Sequence, residues 1–353
     1  MPREYVILDK KIGKNRMKKS PPVSSVKVPF LSLALLTFCI FAGCTTPESR
    51  WETDFDTALA KAQMRHKNIF LLFTGTAWDG ISEDLLFSIF NTQEFKKAAG
   101  KNYVLLHIDV PDIPTALDRE KAAETFRLAV NMGVRAAPTA LLVTETGRPF
   151  AFLPMTTETK TAQNVLDLIK AERPREKKIN RLYGKIQKTQ GSKKAEYIDA
   201  FIETVPERFH ITLNDLFIRI IEADPENKSG LLGKYKLRIA SENAARAFHA
   251  GTLDNELNEL LILINEKNLL SPSQIQDAYY QLAYFAVNSG KISQDEAVTY
   301  LRQAYNAVPD SAAAAHILNI IESLAKDRLP AGNTSFTGSL PPNEADSDPA
   351  VKD

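Results

Sequence analysis

The spacing of apolar positions changes character twice along this chain. Val28–Ala42 is a nearly unbroken apolar stretch of 15 residues. From Trp51 to about Arg173, short continuous apolar runs alternate with segments whose apolar residues recur every three or four positions; beyond that point only the second pattern persists. A short continuous run marks a strand buried on both faces, and the longer spacing marks an amphipathic helix. Strands are therefore predicted at Asn68–Phe73, Tyr103–Asp109 and Thr139–Val143. A fourth, Pro149–Phe152, follows a turn at Glu145–Arg148 in which Gly147 supplies a positive φ. Helices are predicted around Phe55–Met64, Glu83–Ala99, Ala116–Asn131 and Thr159–Arg173. The resulting order is α-β-α-β-α-β-β-α.

The second half reads as helix throughout. Ala195–Glu203, Leu213–Ala223, Leu231–Ala250, Leu253–Asn265, Ser273–Asn288 and Asp295–Val308 all carry apolar stripes, with Gly or Pro between most of them. Pro174 is expected to end the preceding helix, and the charges of Arg173–Lys178 to solvate a boundary, so 174–192 is assigned as linker with helical character. The helical domain is then 193–328. Pro, Gly, Ser, Asn and Asp dominate 329–353, which is expected to be a disordered tail.

Lys18, Lys19 and Lys27 precede the first apolar stretch, and Phe41-Ala42-Gly43-Cys44 closes it. At 15 residues the stretch is short for a spanning helix, which needs about 20, and the basic, apolar, small-residue order is that of an export signal. The tetrapeptide ending at Cys44 resembles the bacterial lipobox, with Phe41 in place of the usual Leu. The resemblance implies cleavage before Cys44 and a lipid on its thiol. Residues 1–43 are thus expected as leader and lipoprotein signal peptide, with Met17 a natural alternative start, and 44–50 as a short tether. The implied location is the bacterial membrane, lipid-anchored, facing the periplasm or the surface.

Removing 1–43 reverses the charge. That stretch holds eight of the 44 basic and two of the 43 acidic residues, leaving 36 against 41, a formal net charge of −5. A mildly acidic chain gives no electrostatic footprint for nucleic acid as a partner.

The order of elements, with three local matches, resembles the thioredoxin fold, and more closely its bacterial exported branch. Ala58-Leu59-Ala60-Lys61-Ala62 followed by Lys67–Gly75 is similar to that branch's first helix and central strand. Trp78 stands where the family's Trp precedes Cys-x-x-Cys, and Gly133–Thr139 is similar to the loop whose proline is cis, which implies a cis Ala137-Pro138 bond facing the site. The expected fold class is an α/β thioredoxin-like domain over 51–173 followed by an all-α helical-repeat domain. Tyr279, Leu282, Ala283, Ala286, Gly290, Ala297, Leu301, Ala304 and Pro309 give that second domain its resemblance to a tetratricopeptide repeat.

The departure from the family bears on function. Asp79-Gly80-Ile81-Ser82 occupies the place of the redox cysteines, and the chain's two cysteines, Cys39 and Cys44, both precede the domain. Thiol–disulfide exchange needs an attacking thiolate and a resolving thiol, which carboxylate and hydroxyl cannot replace. Thr76, Asp79 and Ser82 read as helix-capping residues, since their oxygens can accept first-turn N–H groups. His66, His107, His210, His249 and His316 are isolated and show no metal-ligand spacing, and no nucleotide-binding or serine-hydrolase motif is present. No catalytic residue, metal or cofactor is nominated. Trp78, Asp79, Ser82, Ala137 and Pro138 are the candidate peptide groove, and Cys44 the lipidation site. The expected function is a binding adaptor or chaperone-like scaffold for proteins or peptides of the cell envelope. An oxidoreductase using a partner's cysteine and a purely structural envelope protein are the alternatives.

Overall fold

A computed structural model describes residues 51–112, 119–156 and 158–326. The leader, Cys44, the tether and the expected tail lie outside the described residues. The described residues belong to one compact unit.

The α/β part contains α1 (Phe55–Arg65), β1 (Asn68–Thr74), α2 (Gly80–Leu85), α3 (Gln93–Ala99), β2 (Tyr103–Asp109), α4 (Arg119–Asn131), β3 (Thr139–Val143), β4 (Pro149–Leu153) and α5 (Ala162–Ala171). Its single sheet has the order β2-β1-β3-β4. β1 runs parallel to β2 and antiparallel to β3, and β4 is antiparallel to β3. Every residue of β1 and of β3 is buried, which is why both read as unbroken apolar runs. Gly147 turns the chain into β4 at φ +84°, as expected, against the side chains of Phe55 and Leu59.

One predicted helix is broken. In place of a continuous Glu83–Ala99, α2 passes into a π turn at Leu86–Phe90, and α3 starts afresh after Thr92, whose hydroxyl accepts from Phe95 N–H at 3.3 Å. The wider turn sets Ile89 and Phe90 fully into the core and leaves Phe87 84% exposed. Trp51, Phe70, Phe90 and Phe95 form an aromatic cluster on this face of the sheet, with ring centroids 5.2 to 6.3 Å apart. Such pairs add about 0.5–1.5 kcal/mol each beyond burial.

The segment assigned as linker with helical character is largely helix. Residues 173–188 form α6, with Pro174 in its first turn, where a proline's missing N–H costs nothing. Glu176 on α6 is buried and binds both parallel strands, accepting from Asn68 Nδ2 on β1 and from Tyr103 Oη on β2, each at 2.8 Å. The same core continues through α7 (Gly191–Ile202) and α8 (Asn214–Ala223) as far as Tyr235. Arg148, in the β3–β4 turn, reinforces the join with a two-pronged contact to Asp215 at 2.8 and 2.5 Å.

The remaining helices are α9 (Leu232–Ala250), α10 (Asp254–Asn265), α11 (Pro272–Asn288), α12 (Gln294–Ala307) and α13 (Ala312–Lys326). α11 and α12 both open on capping boxes, Ser271 with Gln274 and Ser293 with Glu296. Fully buried Ala283, Ala297, Leu301 and Ala304 let this pair approach closely. Buried Gln276 donates to the carbonyls of Ala304 and Val308 and accepts from Ser311, fixing the turn into α13. Among the described residues no helix is long and apolar enough to cross a membrane.

Candidate functional site

The loop from Gly75 to Asp79 leaves the C-terminal end of β1 and delivers the chain to α2. Pro138 stands beside this end of the sheet, because the next residue, Thr139, pairs with Phe73. The Ala137-Pro138 bond is cis. β1 and β3 thus bring the Trp78 loop and the proline loop to one end of the sheet, although the two are some 60 residues apart in sequence.

Trp78 is half exposed, at 50%. Its indole lies directly on Gly75: a Cβ there would sit 2.2 Å from ring atoms Cε2 and Cζ2. Its Nε1 donates to the carbonyl of Val110 at 2.8 Å, just past the end of β2. The ring is therefore fixed at one edge and backed by the glycine, with half its surface open.

Asp79 caps α2. Its Oδ2 accepts from Ser82 N–H at 2.9 Å and from the Ser82 hydroxyl at 2.5 Å. The Ser82 oxygen accepts in turn from Gly75 N–H at 3.1 Å, and the side chain is fully buried. That hydroxyl thus donates to Asp79 and is shut off from solvent. Thr76, expected as a cap, is instead bound to Asp109: its N–H and hydroxyl reach the two carboxylate oxygens at 2.8 and 2.5 Å.

Asp109 is the residue that sequence reasoning missed here. It also accepts from Thr74 Oγ1 at 2.6 Å. Because Thr74 has one proton and gives it to Asp109, its 2.7 Å contact with His107 Nε2 is a bond donated by the imidazole. His107 therefore carries its proton on Nε2, and burial holds its pKa below the ordinary value despite the nearby Asp109 charge. Burial pushes the Asp109 carboxyl up, but the bonds from Thr74 and Thr76 and the adjacent His107 outweigh it and hold the pKa below the usual value. The alternation of β2 puts residues 107 and 109 on one face, and that was the available signal.

At the opposite end of the sheet a cleft of about 270 Å³ is lined by His66, Lys67, Asn68, Glu145, Arg173 and Glu176, among others. Burial, with the Glu176 charge and hydrogen bond, drives the Tyr103 pKa far up beneath it. Among the described residues no three His, Cys, Asp or Glu side chains gather as a metal site.

Residues 55–169 match the family model of a thioredoxin-like domain, and 231–329 match that of an uncharacterised protein C-terminal domain. A protein of Treponema pallidum (strain Nichols), described as uncharacterized, is 28% identical over 287 residues, which cover 81% of this chain and 93% of that relative. A solved structure titled DsbH oxidoreductase is 23% identical and covers 35% of this chain and 84% of its own, with a TM-score of 0.32. The chain thus carries a thioredoxin-like α/β domain followed by a largely helical region.

Proposed function

We propose that this chain is a lipid-anchored envelope protein whose thioredoxin-like domain binds protein or peptide segments without exchanging disulfides. Its helical region, read as a degenerate tetratricopeptide-like array, acts as a second binding surface, so that the whole serves as an adaptor or chaperone-like scaffold. The observation that carries this reading is the contrast within one loop. Trp78 is backed, hydrogen-bonded and half open, whereas Asp79 and Ser82 are closed on each other and on the backbone. Described residues of the site offer no thiol, since both cysteines precede Trp51. A rigid aromatic that is exposed on one face is a common anchor for a partner, and the backbone ahead of Pro138 lies at the same end of the sheet.

The test is site-specific photocrosslinking from the exposed position of Ala77 in intact membranes, with and without Trp78→Ala. The proposal expects discrete crosslinked partners whose capture weakens by about 1–2 kcal/mol in the variant, with little change in thermal stability. If Trp78→Ala leaves capture intact and costs roughly 3–5 kcal/mol of folding stability, the indole is packing and the groove reading fails. The anchor is tested separately: Cys44→Ser should abolish palmitate labelling, and equal labelling would remove the lipoprotein part. Reduction of insulin by the wild-type protein would favour the oxidoreductase alternative.

A further inference from the structure

α6 carries a charge distribution unlike the rest of the chain. Between Glu172 and Lys194 there are nine Lys or Arg and two acids, in a protein that is net acidic after residue 43. At about 100° per residue, Lys177, Lys178, Arg181, Lys185 and Lys188 fall within a single arc of about 100°. All five are exposed. The opposite face holds Glu176, Ile179, Leu182 and Ile186, all buried against the core. Acidic neighbours are taken up at the ends: Arg173 pairs with Glu176, Arg175 with Glu172 and Lys193 with Glu196. Lys185 Nζ lies over the Tyr197 ring, 4.7 Å from its centroid. Among the described residues, Lys177, Lys178, Arg181 and Lys188 are not in the ion pairs that Arg173, Arg175 and Lys193 form.

We infer that this basic face of α6 docks on an anionic lipid surface. Charge complementarity selects the chemistry: each Lys or Arg near an anionic leaflet adds attraction that decays within a Debye length, and clustered cations add together. Position selects a membrane over a soluble polyanion. Glu52 enters the fold along β2, its N–H donating to Leu105 O at 2.8 Å, and α6 touches the same strand two residues away through Glu176 and Tyr103. A tether of seven residues reaches at most about 25 Å, comparable with the length of α6, which at 16 residues is about 24 Å. A lipid on Cys44 would hold this face within reach of headgroups. That choice of occupant rests on the proposed anchor, while the charge of the face does not.

The experiment uses residues 48–353, which contain all the described residues, so that lipidation plays no part in the outcome. Sedimentation with phosphatidylglycerol-rich vesicles at about 0.15 M salt is compared with pure phosphatidylcholine vesicles. We expect binding to the first only, weakened at least about tenfold by combined Lys177→Gln, Lys178→Gln and Arg181→Gln, with circular dichroism unchanged. Lys160→Gln, Lys170→Gln and Lys267→Gln, which remove the same charge from exposed sites elsewhere, should leave binding within about twofold. Equal binding to both vesicle types, or equal loss in the two triple variants, would overturn the proposal. Binding to immobilised polyglutamate without binding to the anionic vesicles would also overturn it, by making the occupant a soluble acidic chain.

Discussion

Gly75→Ala isolates what holds Trp78 in place. The added Cβ would lie 2.2 Å from two indole carbons, where ordinary contact needs about 3.5–4.0 Å. The ring must therefore retreat by at least about 1.3 Å. Movement of that size stretches the 2.8 Å bond from Nε1 to Val110 O beyond hydrogen-bonding distance. The loss is about 0.5–1.5 kcal/mol, and because the ring is half exposed, water can take up the freed groups. Working against it, Ala restricts the unfolded chain more than Gly, by about 0.4–1 kcal/mol, and Gly75 is not in the left-handed region that would penalise a side chain. The two terms nearly cancel. Gly75→Ala should therefore change Tm by no more than about 4 °C while displacing the indole. The assay reads Trp78 alone in a Trp51→Phe background, where emission should shift to the red and acrylamide quenching should rise. Unchanged emission would show that the ring does not rest on Gly75. A fall in Tm beyond about 10 °C would show that it is a core side chain after all.

Other outcomes follow from neighbouring contacts. Glu176→Ala leaves Asn68 Nδ2 and Tyr103 Oη unpaired in a buried setting and should cost about 2–4 kcal/mol in denaturant unfolding, with Glu176→Gln costing less because its amide oxygen still accepts one bond; equal stability of all three proteins would refute the bridging role. The Asp109 pKa is depressed in the folded state, so its contribution is fully present above the unfolded carboxyl value, near pH 4, and fades as pH falls through the lower folded value. The stability gap between wild type and Asp109→Asn should accordingly be flat at neutral pH and narrow below about pH 4; a gap that widens in acid would reverse the assignment. Asp79→Cys with Ser82→Cys places two thiols at the start of α2, the second fully buried, and should give disulfide reductase activity with a depressed thiolate pKa at the first. A folded double variant whose thiols neither pair nor exchange would show that this turn does not correspond to a redox motif.

The sheet was legible in the sequence because its strands lie in environments that leave a plain mark. β1 and β3 are apolar at nearly every position since both of their faces are covered. The break at Leu86–Phe90 was not, because Leu85, Leu86, Ile89 and Phe90 fit an ordinary helical stripe equally well, and the wider turn is imposed by packing against Trp51 and Phe70. Pro174 was ambiguous in principle: proline both ends helices and begins them. The signal that settles it is the buried Glu176, whose partners lie 73 and 108 residues away. Thr76 misled for the same reason, since a hydroxyl ahead of a helix resembles a cap whatever carboxylate waits 33 residues further on.

That last contact explains how the loop can lack thiol chemistry and still keep a defined shape. Asp109 gathers the Thr74 hydroxyl and both Thr76 donors, and His107 supplies the proton that leaves Thr74 free to give its own. Asp79 and Ser82 close the far end of the loop on Gly75. Thr76, Asp79 and Ser82 thus each have a partner within the protein, and the open surface includes one face of an indole already fixed by Gly75 and Val110, beside exposed Ala77 and Ile81. A partner docking there would order little that is not already ordered, which is the condition under which a small aromatic contact yields usable affinity. Any other partner for the Ser82 hydroxyl or the Asp79 carboxylate would first have to replace bonds that hold the start of α2 in place. If the proposed binding role holds, its preorganisation and the closure of Asp79 and Ser82 follow from one hydrogen-bond pattern, and a variant that loosens Asp109 should weaken the proposed capture by Trp78.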